Sequence, residues 1–400
     1  MKLPVLPPKT SLKGKCVFLR VDWNVPLEGG FAAEDSLKIS RSIETIRMLS
    51  KRGAIVLVAT HLGRPKGRDQ KFSTKKLLHL VGAHYGVPLN FIGDALDTAA
   101  GMAAAKATIS TAEPGSVHLL ENVRFYAGEE KNDKKLSKAF ASLADLFVND
   151  AFASCHRAHA SVVGVPKLLP HYAGPSLVEE VTALSKLLGK PKRPYVAVIG
   201  GAKITTKIEV LQSLLKVADN VLVGGAMSTA FFAAKKLEIG KSYVEKEGIA
   251  VAKKLLKNPK LVLPTDVLVA KKIEASASVR TTSVDDVKKT DAIGDIGTQT
   301  MREWAAIIKK AKTIVWNGPL GVTEIRKFSH GSLIIGRTIA SRSKGKAYGV
   351  AGGGDTLPVV FATGMSEWFD HISTGGGAML EFIADDGKLP GLIALLPKKR

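Results

Sequence analysis

Cysteine is nearly missing from this chain: Cys16 and Cys155 are the only two among 400 residues, far apart and in no metal-type spacing. That excludes a disulfide scaffold and a cysteine-based zinc site, and leaves reduced thiols as the expectation. Long apolar runs are missing too. Stretches such as Ile55 to Ala59 fall far short of the ~20 residues a membrane helix needs. The opening MKLPVLPPKTSLKGK has no apolar centre of the signal-peptide kind, so a cytosolic protein is expected. The third shortage is acidic charge. Lys and Arg number 58 against 36 Asp and Glu, a formal net charge of +22, with 24 against 17 in residues 1–180 and 34 against 19 in the remainder. The excess lysine comes in pairs, such as Lys253 with Lys254 and Lys309 with Lys310, and its plainest reading is a solvated basic face. Steering of anionic substrates and loose association with nucleic acid stay open beside that. No zinc-finger spacing, RNP-type sequence or aromatic-interleaved basic stretch supports nucleic acid. No solenoid-period repeat or low-complexity segment is present.

What the chain does contain is two different kits for holding anions. In the first half the clusters are cationic: THLGRP at Thr60 to Pro65, ENVRF at Glu121 to Phe125 and CHRAHAS at Cys155 to Ser161. In the second half they are rich in glycine: GGAKITTK at Gly200 to Lys207, WNGPLGV at Trp316 to Val322, GGGDT at Gly352 to Thr356 and STGGGA at Ser373 to Ala378. Arg and His grip small anions directly, whereas glycine turns at helix starts offer backbone N–H groups to nucleotide phosphates. One half is read as a small-anion site, the other as a nucleotide site.

Short β-branched runs followed by glycine and a helix-like segment recur along the chain, the pattern of parallel sheets covered by helices. Strands are expected at Val17–Val21, Ile55–Thr60, Ser116–Leu120 and Leu146–Asn149, then at Tyr195–Ile199, Asn220–Val223, Leu261–Leu263, Thr313–Trp316 and Tyr348–Ala351. The fold class is α/β, with two doubly wound parallel-sheet domains. Each anion cluster begins where one of these strands stops, and ligands of such sheets bind at the carboxyl ends of strands. Between the halves, Leu177, Val181, Leu184 and Leu188 have helical spacing until GKPKRP at Gly189 to Pro194 breaks it. A hinge helix over residues 176–190 therefore divides an N-terminal domain, 1–175, from a C-terminal one, 191–390.

Weighed singly, the motifs differ in sharpness. Lys203 and Lys207 lie one helical turn apart at a positively polarised helix start, suited to a polyphosphate, although a glycine pair such as Gly200 and Gly201 also serves simple turns. GGAMSTAFF, with Gly225, repeats the strand-to-glycine step and could equally reflect close helix packing. GGGDT is sharper: Gly353 and Gly354 suit phosphates while Asp355 suits a hard cation, its alternative being a helix N-cap. Gly376 opens a helix whose amides could hold a transferring phosphoryl group, and Asn317 and Glu324 offer polar contacts to a nucleotide. Gly240-Lys241-Ser242 imitates the end of a P-loop, but Lys235 occupies the required first glycine. In the first half Asp22 and Asn24 alternate at a strand end, His61 and Arg64 follow the next, Arg124 another, and His156, Arg157 and His159 a fourth. Four cationic strand ends on one face outweigh the structural reading that each has alone. A Cys155–His156 nucleophile pair is not supported, because sequence neighbours rarely face each other.

RVDWNVP, THLGRP, ENVRF, VNDAF followed by HRAH, GGAK, WNGP, GGGDT and HISTGGGA occur in one order from about Val17 to Gly391. In this the chain resembles the phosphoglycerate kinases over nearly its whole length. The resemblance implies two Rossmann-like domains, 3-phosphoglycerate or 1,3-bisphosphoglycerate on the first, Mg²⁺ with ATP or ADP on the second, and a C-terminal tail, 391–400, that packs back on the first. It implies a hinge-bending, monomeric glycolytic enzyme without an obligate protein partner. It assigns the acid substrate to Asp22, Asn24, Lys38, His61, Arg64, Arg124 and Arg157. The nucleotide falls to Gly201, Lys207, Gly225, Gly294, Asn317, Glu324, Gly353, Gly354, Asp355 and Thr356, with Asp355 for the metal and Lys38, Lys203, Lys207 and Gly376 for catalysis.

The chain also departs from the family. DSLKISRSIETI at Asp35 to Ile46 places Lys38 where an arginine is usual, keeping the charge but losing the planar fork. Using Arg41 instead would require three inserted residues, so Lys38 is expected at the anion site. Thr206 and Ala226 replace an acidic residue and a glycine, and DIGTQT lacks a usual proline. An active kinase is the leading expectation, and a basic paralogue that binds nucleic acid or a membrane surface is the alternative.

Overall fold

β-Branched runs of the first half form six parallel strands in the computed structural model, which describes residues 1–26 and 33–397. They are β1 (Cys16–Arg20), β2 (Ile55–Ala59), β3 (Asn90–Ile92), β4 (Val117–Leu120), β5 (Leu146–Asn149) and β6 (His171–Ala173), ordered β3-β4-β2-β1-β5-β6. Every residue of β1, β2, β4 and β5 is buried, because helices cover both faces of the sheet. On one face Val17, Leu19, Val56 and Val58 pack with Ile39, Ile43 and Ile46 of helix Ala33–Lys51. On the other Phe18 lies 5.9 Å from the ring of Phe147 and 5.6 Å from that of Phe140. Alternation along each strand sends neighbours to opposite cores.

The second half repeats the design with β7 (Tyr195–Ile199), β8 (Asn220–Val223), β9 (Leu261–Val262), β13 (Thr313–Asn317), β14 (Tyr348–Gly352) and β15 (His371–Ser373), parallel and ordered β15-β14-β13-β7-β8-β9. Between β9 and β13 the chain builds a separate antiparallel sheet of β10 (Asp266–Ala270), β11 (Val279–Ser283) and β12 (Ala292–Ile296), ordered β11-β10-β12. The parallel sheet packs on Trp304, Ile308, Ile335 and Ile339, with Trp316 at its centre. The α/β class with two parallel sheets is as the sequence indicates. Strands β3, β6 and β15 escape that reading because each is only three residues long. The antiparallel sheet escapes it because β11 is polar and β12 contains Gly294 and Asp295.

The chain forms two units, residues 1–182 with the tail from Lys388, and residues 183–387. Helix Pro175–Ser185 carries it from the first into the second. It buries Leu177, Val181 and Leu184 and ends three residues before Leu188, where turns lead into Gly189 at φ +68°. Within the first unit the tail buries Leu389, Leu392 and Leu395, and the Gly391 N–H donates to Cys155 O at 2.8 Å. A Cβ on Gly391 would stand 2.8 Å from Cys155 Cα, so a glycine is needed for this approach. Residues 398–400 of the expected tail lie outside the described residues. Cys16 and Cys155 are both free and buried, and burial pushes each thiol up to about 12. Leu392→Ala should therefore destabilise the first unit by about 2–4 kcal/mol, through lost burial and the cavity left behind. Urea unfolding measures this; an unchanged midpoint would mean that the tail is not part of that core.

Candidate active site

Strand β1 ends in an arginine that is only 1% exposed. Arg20 Nε donates to Ser161 Oγ at 2.9 Å, its guanidinium also donates to Ser154 Oγ and Val21 O, and it lies 3.3 Å from His61 Nδ1. Ser161 in turn donates from its N–H and Oγ to the fully buried Glu129, at 2.9 and 2.5 Å. One buried charge thus ties β1 to the loops after β2, β4 and β5. This is also where the strand order reverses, between β1 and β5, the crevice expected of an open parallel sheet.

Around that anchor three buried polar atoms have no hydrogen-bond partner among the described residues: Asp22 Oδ1, Arg124 Nε and His156 Nδ1. Buried polar atoms are almost always paired, so three orphans in one cluster mark a place for a polar ligand. Arg124 is held by donation from Nη1 to Gly63 O at 2.6 Å, and its Nε lies 3.5 Å from Glu130 Oε1. Arg157 Nε donates to His156 Nε2 at 3.0 Å, which leaves the imidazole proton on the orphaned Nδ1. Asn24 Oδ1 accepts from Gly63 N–H at 2.8 Å, joining the loops after β1 and β2. Asp22 is raised by burial, with Arg20 and Lys38 pulling it down. Arg64 is exposed and has no hydrogen bond or ion pair among the described residues.

An arginine stands at or after the end of each of β1, β2, β4 and β5, and the histidines beside them do not add to that charge. His61 is pushed well below its ordinary value, first by burial and then by Arg20 and Arg124. Burial and neighbouring positive charge bring His156 to about 4 and His159 to about 3. At neutral pH the imidazoles are uncharged, and the positive charge belongs to the arginines and Lys38.

Lys38 and Arg41, three residues apart and so neighbours on one side of their helix, nevertheless differ in surroundings. Lys38 lines a cavity of about 480 Å³ with Asn24, Leu62 and Gly63, while Arg41 Nη1 donates to the buried carboxylate of Glu180 at 2.7 Å. Arg20 is the residue that sequence reasoning missed at this site; its signal was an arginine inside the buried run CVFLR.

In the second unit the strand order reverses between β7 and β13, and the glycines after them meet. Gly200 N–H donates to Asn317 O at 2.9 Å, and a Cβ on Gly200 would fall 2.0 Å from Pro319 O. Here glycine is required by backbone approach. Beside this junction is a cavity of about 280 Å³ lined by Gly201, Gly225, Gly294, Glu324 and Asp355, with Val267, Ile293, Ile296, Leu320 and Val322 as an apolar wall. The apolar residues suit a base, and the glycine amides and Asp355 suit phosphates and their cation. Val267, Ile293 and Ile296 were missed because the antiparallel sheet that supplies them was not legible.

Asn317 sets the position of its neighbours: Oδ1 accepts from Lys207 Nζ at 2.8 Å and Nδ2 donates to Gly352 O at 2.7 Å. Lys207 also donates to Gly200 O at 2.6 Å. Burial pulls Lys207 down to about 8, while Asp355 acts in the opposite sense. Thr356 is fully buried and accepts from Gly318 N–H at 2.7 Å. Gly353 has φ +112°, a conformation open to glycine, and nothing fills the space beside Gly354. Gly376, at φ +53°, precedes helix Gly377–Ala384, again with open space beside it. Lys203 is exposed, and its charge stabilises the ionised Glu245 that accepts from Thr205.

Among the described residues no group of three or more His, Cys, Asp or Glu could hold a metal ion. A single carboxylate at the phosphate end of a cavity nevertheless suits Mg²⁺, which takes one or two carboxylates and completes its shell with phosphate oxygens and water. No described helix is long and apolar enough to cross a membrane.

A sequence model described as phosphoglycerate kinase matches residues 8–386. The phosphoglycerate kinase of Methylorubrum extorquens is 43% identical over 392 residues, 96% of each chain, and that of Thermus thermophilus is 44% identical over 388 residues, 96% of this chain and 97% of its own. Among solved structures, phosphoglycerate kinase from Coxiella burnetii superposes with a TM-score of 0.82 at 37% identity over 97% of both chains. That from Pyrococcus horikoshii gives 0.84 at 31% identity, covering 96% of this chain and 97% of its own. With these likenesses extending over the sheets and loops that carry both sites, the chain belongs to the phosphoglycerate kinase family.

Proposed function

We propose that this chain catalyses reversible phosphoryl transfer between 1,3-bisphosphoglycerate and ADP, giving 3-phosphoglycerate and ATP, as a cytoplasmic monomer acting on small molecules. The observation that carries the reading on the acid-substrate side is the cluster of orphaned polar atoms, Asp22 Oδ1, Arg124 Nε and His156 Nδ1, around a buried guanidinium. Arg124, Arg157 and Arg64 supply charge for a phosphate ester, and neutral His61 and His156 supply ring nitrogens for hydrogen bonds. Asp22 and Asn24 offer acceptors for a substrate hydroxyl.

In the direction of ATP consumption the acceptor is a carboxylate, which has no proton to lose, so no general base is needed. The demand is to neutralise a phosphoryl group passing in line between two anionic oxygens, and fixed cations and amides meet it without reorganising. Lys203, Lys207 and Lys38 are the cations for that group, and the amides that open helix Gly377–Ala384 after Gly376 are its neutral donors. Asp355 would hold Mg²⁺, whose charge would offset that of the phosphoryl donor. Glu324 is assigned to the ribose and the apolar wall to the base. Reacting oxygen and phosphorus must come within ~3–3.5 Å, and helix Pro175–Ser185 is the hinge through which the two units bring them together.

In a coupled assay with ATP, Mg²⁺ and 3-phosphoglycerate, Asp355→Ala should lose at least ~10²-fold in turnover against the wild type. Turnover equal to wild type would remove Asp355 from the metal site. Lys38→Arg should retain turnover to within about tenfold, whereas Lys38→Ala should lose ~10²-fold. A silent wild type that Lys38→Arg revives would show that the fold serves another purpose.

Lys207 supplies a pH test. Its value of about 8 in the free protein is below the ordinary lysine value, and bound phosphate favours the protonated form and must raise it. Nucleotide binding at pH about 8.5 should therefore take up a fraction of a proton, and affinity should fall as pH rises beyond 8. Calorimetry in buffers of different ionisation enthalpy reads that uptake directly. It should disappear in Lys207→Met; a wild type that binds with no proton uptake would place the phosphates away from Lys207.

A further inference from the structure

At the amino-terminal edge of the second unit's parallel sheet, opposite the strand ends that carry the nucleotide cavity, lies a second cavity of about 640 Å³. Its lining includes Lys309, Arg337, Arg342 and Lys346 and no carboxylate. Among the described residues none of these four cations has an acidic partner within ion-pair distance. Helix His330–Ser343 explains the grouping. Ile334, Arg337, Thr338, Ser341 and Arg342 follow the spacing of one helical face, while Ile335, Ile339 and Ala340 on the other are buried against the sheet.

The two arginines are held from behind. Arg342 Nε donates to Ala311 O, just before β13, at 2.9 Å and Arg337 Nε to Thr363 O, at the end of helix Leu357–Ala362, at 3.3 Å, so each fork is fixed to backbone while its terminal nitrogens keep their donors. Lys309 and Arg342 lie in last turns of helices, where a cation is favoured by the helix dipole alone. Arg337, in the middle of its helix, and Lys346, in the turn before β14, have no such reason. Four like charges around one concavity repel one another, and an anion removes that repulsion. The Ser341 hydroxyl adds a neutral donor, whereas that of Thr338 is already donated to Ile334 O at 2.8 Å.

We propose that this cavity is an anion site for a short chain of phosphates, separate from both substrate sites and independent of the phosphoryl-transfer reading. A small polyanion fits better than nucleic acid, because the lining contains no aromatic ring on which a base could stack. Paired forks and several phosphate groups suit one another, since guanidinium–phosphate contacts are charge-assisted and bidentate.

The test is calorimetric titration of inorganic tripolyphosphate, which would itself chelate Mg²⁺, into metal-free protein saturated with ADP and 3-phosphoglycerate, a mixture that fills both substrate sites without reacting. The wild type should retain one equivalent of binding that weakens with salt, and Arg337→Gln/Arg342→Gln should weaken it at least about tenfold. Kinase turnover of that variant should stay at the wild-type value, and its melting temperature should fall only by the few degrees that two lost backbone contacts imply. The control Lys253→Gln/Lys254→Gln removes the same charge from an exposed helix elsewhere in the unit and should leave binding unchanged. No residual binding in the wild type, or equal losses in the two double variants, would overturn the site. A single-stranded oligouridylate that binds there more tightly than tripolyphosphate would replace the small anion with nucleic acid.

Discussion

A strand in a parallel sheet must end somewhere, and where two neighbouring strands send the chain in opposite directions the backbone opens into a crevice that only loops can fill. Both units place their chemistry at such a point, β1 beside β5 in the first and β7 beside β13 in the second. They fill it differently. The first inserts a buried guanidinium, Arg20, and gathers loops around it through Ser154, Ser161 and Glu129. The second removes side chains, so that Gly200 and Gly318 pack backbone on backbone and Lys207 and Asn317 bridge the junction. A side-chain cradle and a backbone cradle result from one topological constraint.

Electrostatics separates the two further. In the first unit burial, reinforced by the nearby Arg20, Arg124 and Arg157, lowers His61, His156 and His159 and favours their neutral forms. The site keeps its cations on groups that cannot lose protons and uses imidazoles as hydrogen-bonding groups. In the second unit a single half-buried lysine is pulled down by burial and partly restored by Asp355. A bound phosphate would reinforce that charge.

Much of this was legible in the sequence because parallel buried strands advertise themselves. Runs such as Ile55–Ala59 and Tyr195–Ile199 are apolar at every position and stop at THLGRP and GGAK, so strand, strand end and anion motif are read together. The choice of Lys38 over Arg41 rested on motif spacing and not on helix phase, since residues three apart share a helical side; one lines a cavity with Asn24 and Gly63 while the other meets Glu180. The apolar wall of the cavity beside Gly201 and Asp355 was not legible, since β11 is an exposed polar strand and β12 passes through Gly294 and Asp295. Neither was the lowering of the histidines, which is set first by burial and then by arginines, among them Arg20 and Arg124, that the fold brings near. Arg20 sat in plain view, but its role depends on Ser161, 141 residues away.

The central claim is that the acid substrate is held by the strand ends of the first unit alone. Hydrogen–deuterium exchange with 3-phosphoglycerate as the sole ligand tests it most directly, because it reads backbone protection segment by segment. The account predicts protection in residues 60–64, 122–126 and 150–161, with the glycine loops at 200–207 and 352–356 unchanged. Protection of those glycine loops, with none around Arg124 and Arg157, would contradict it.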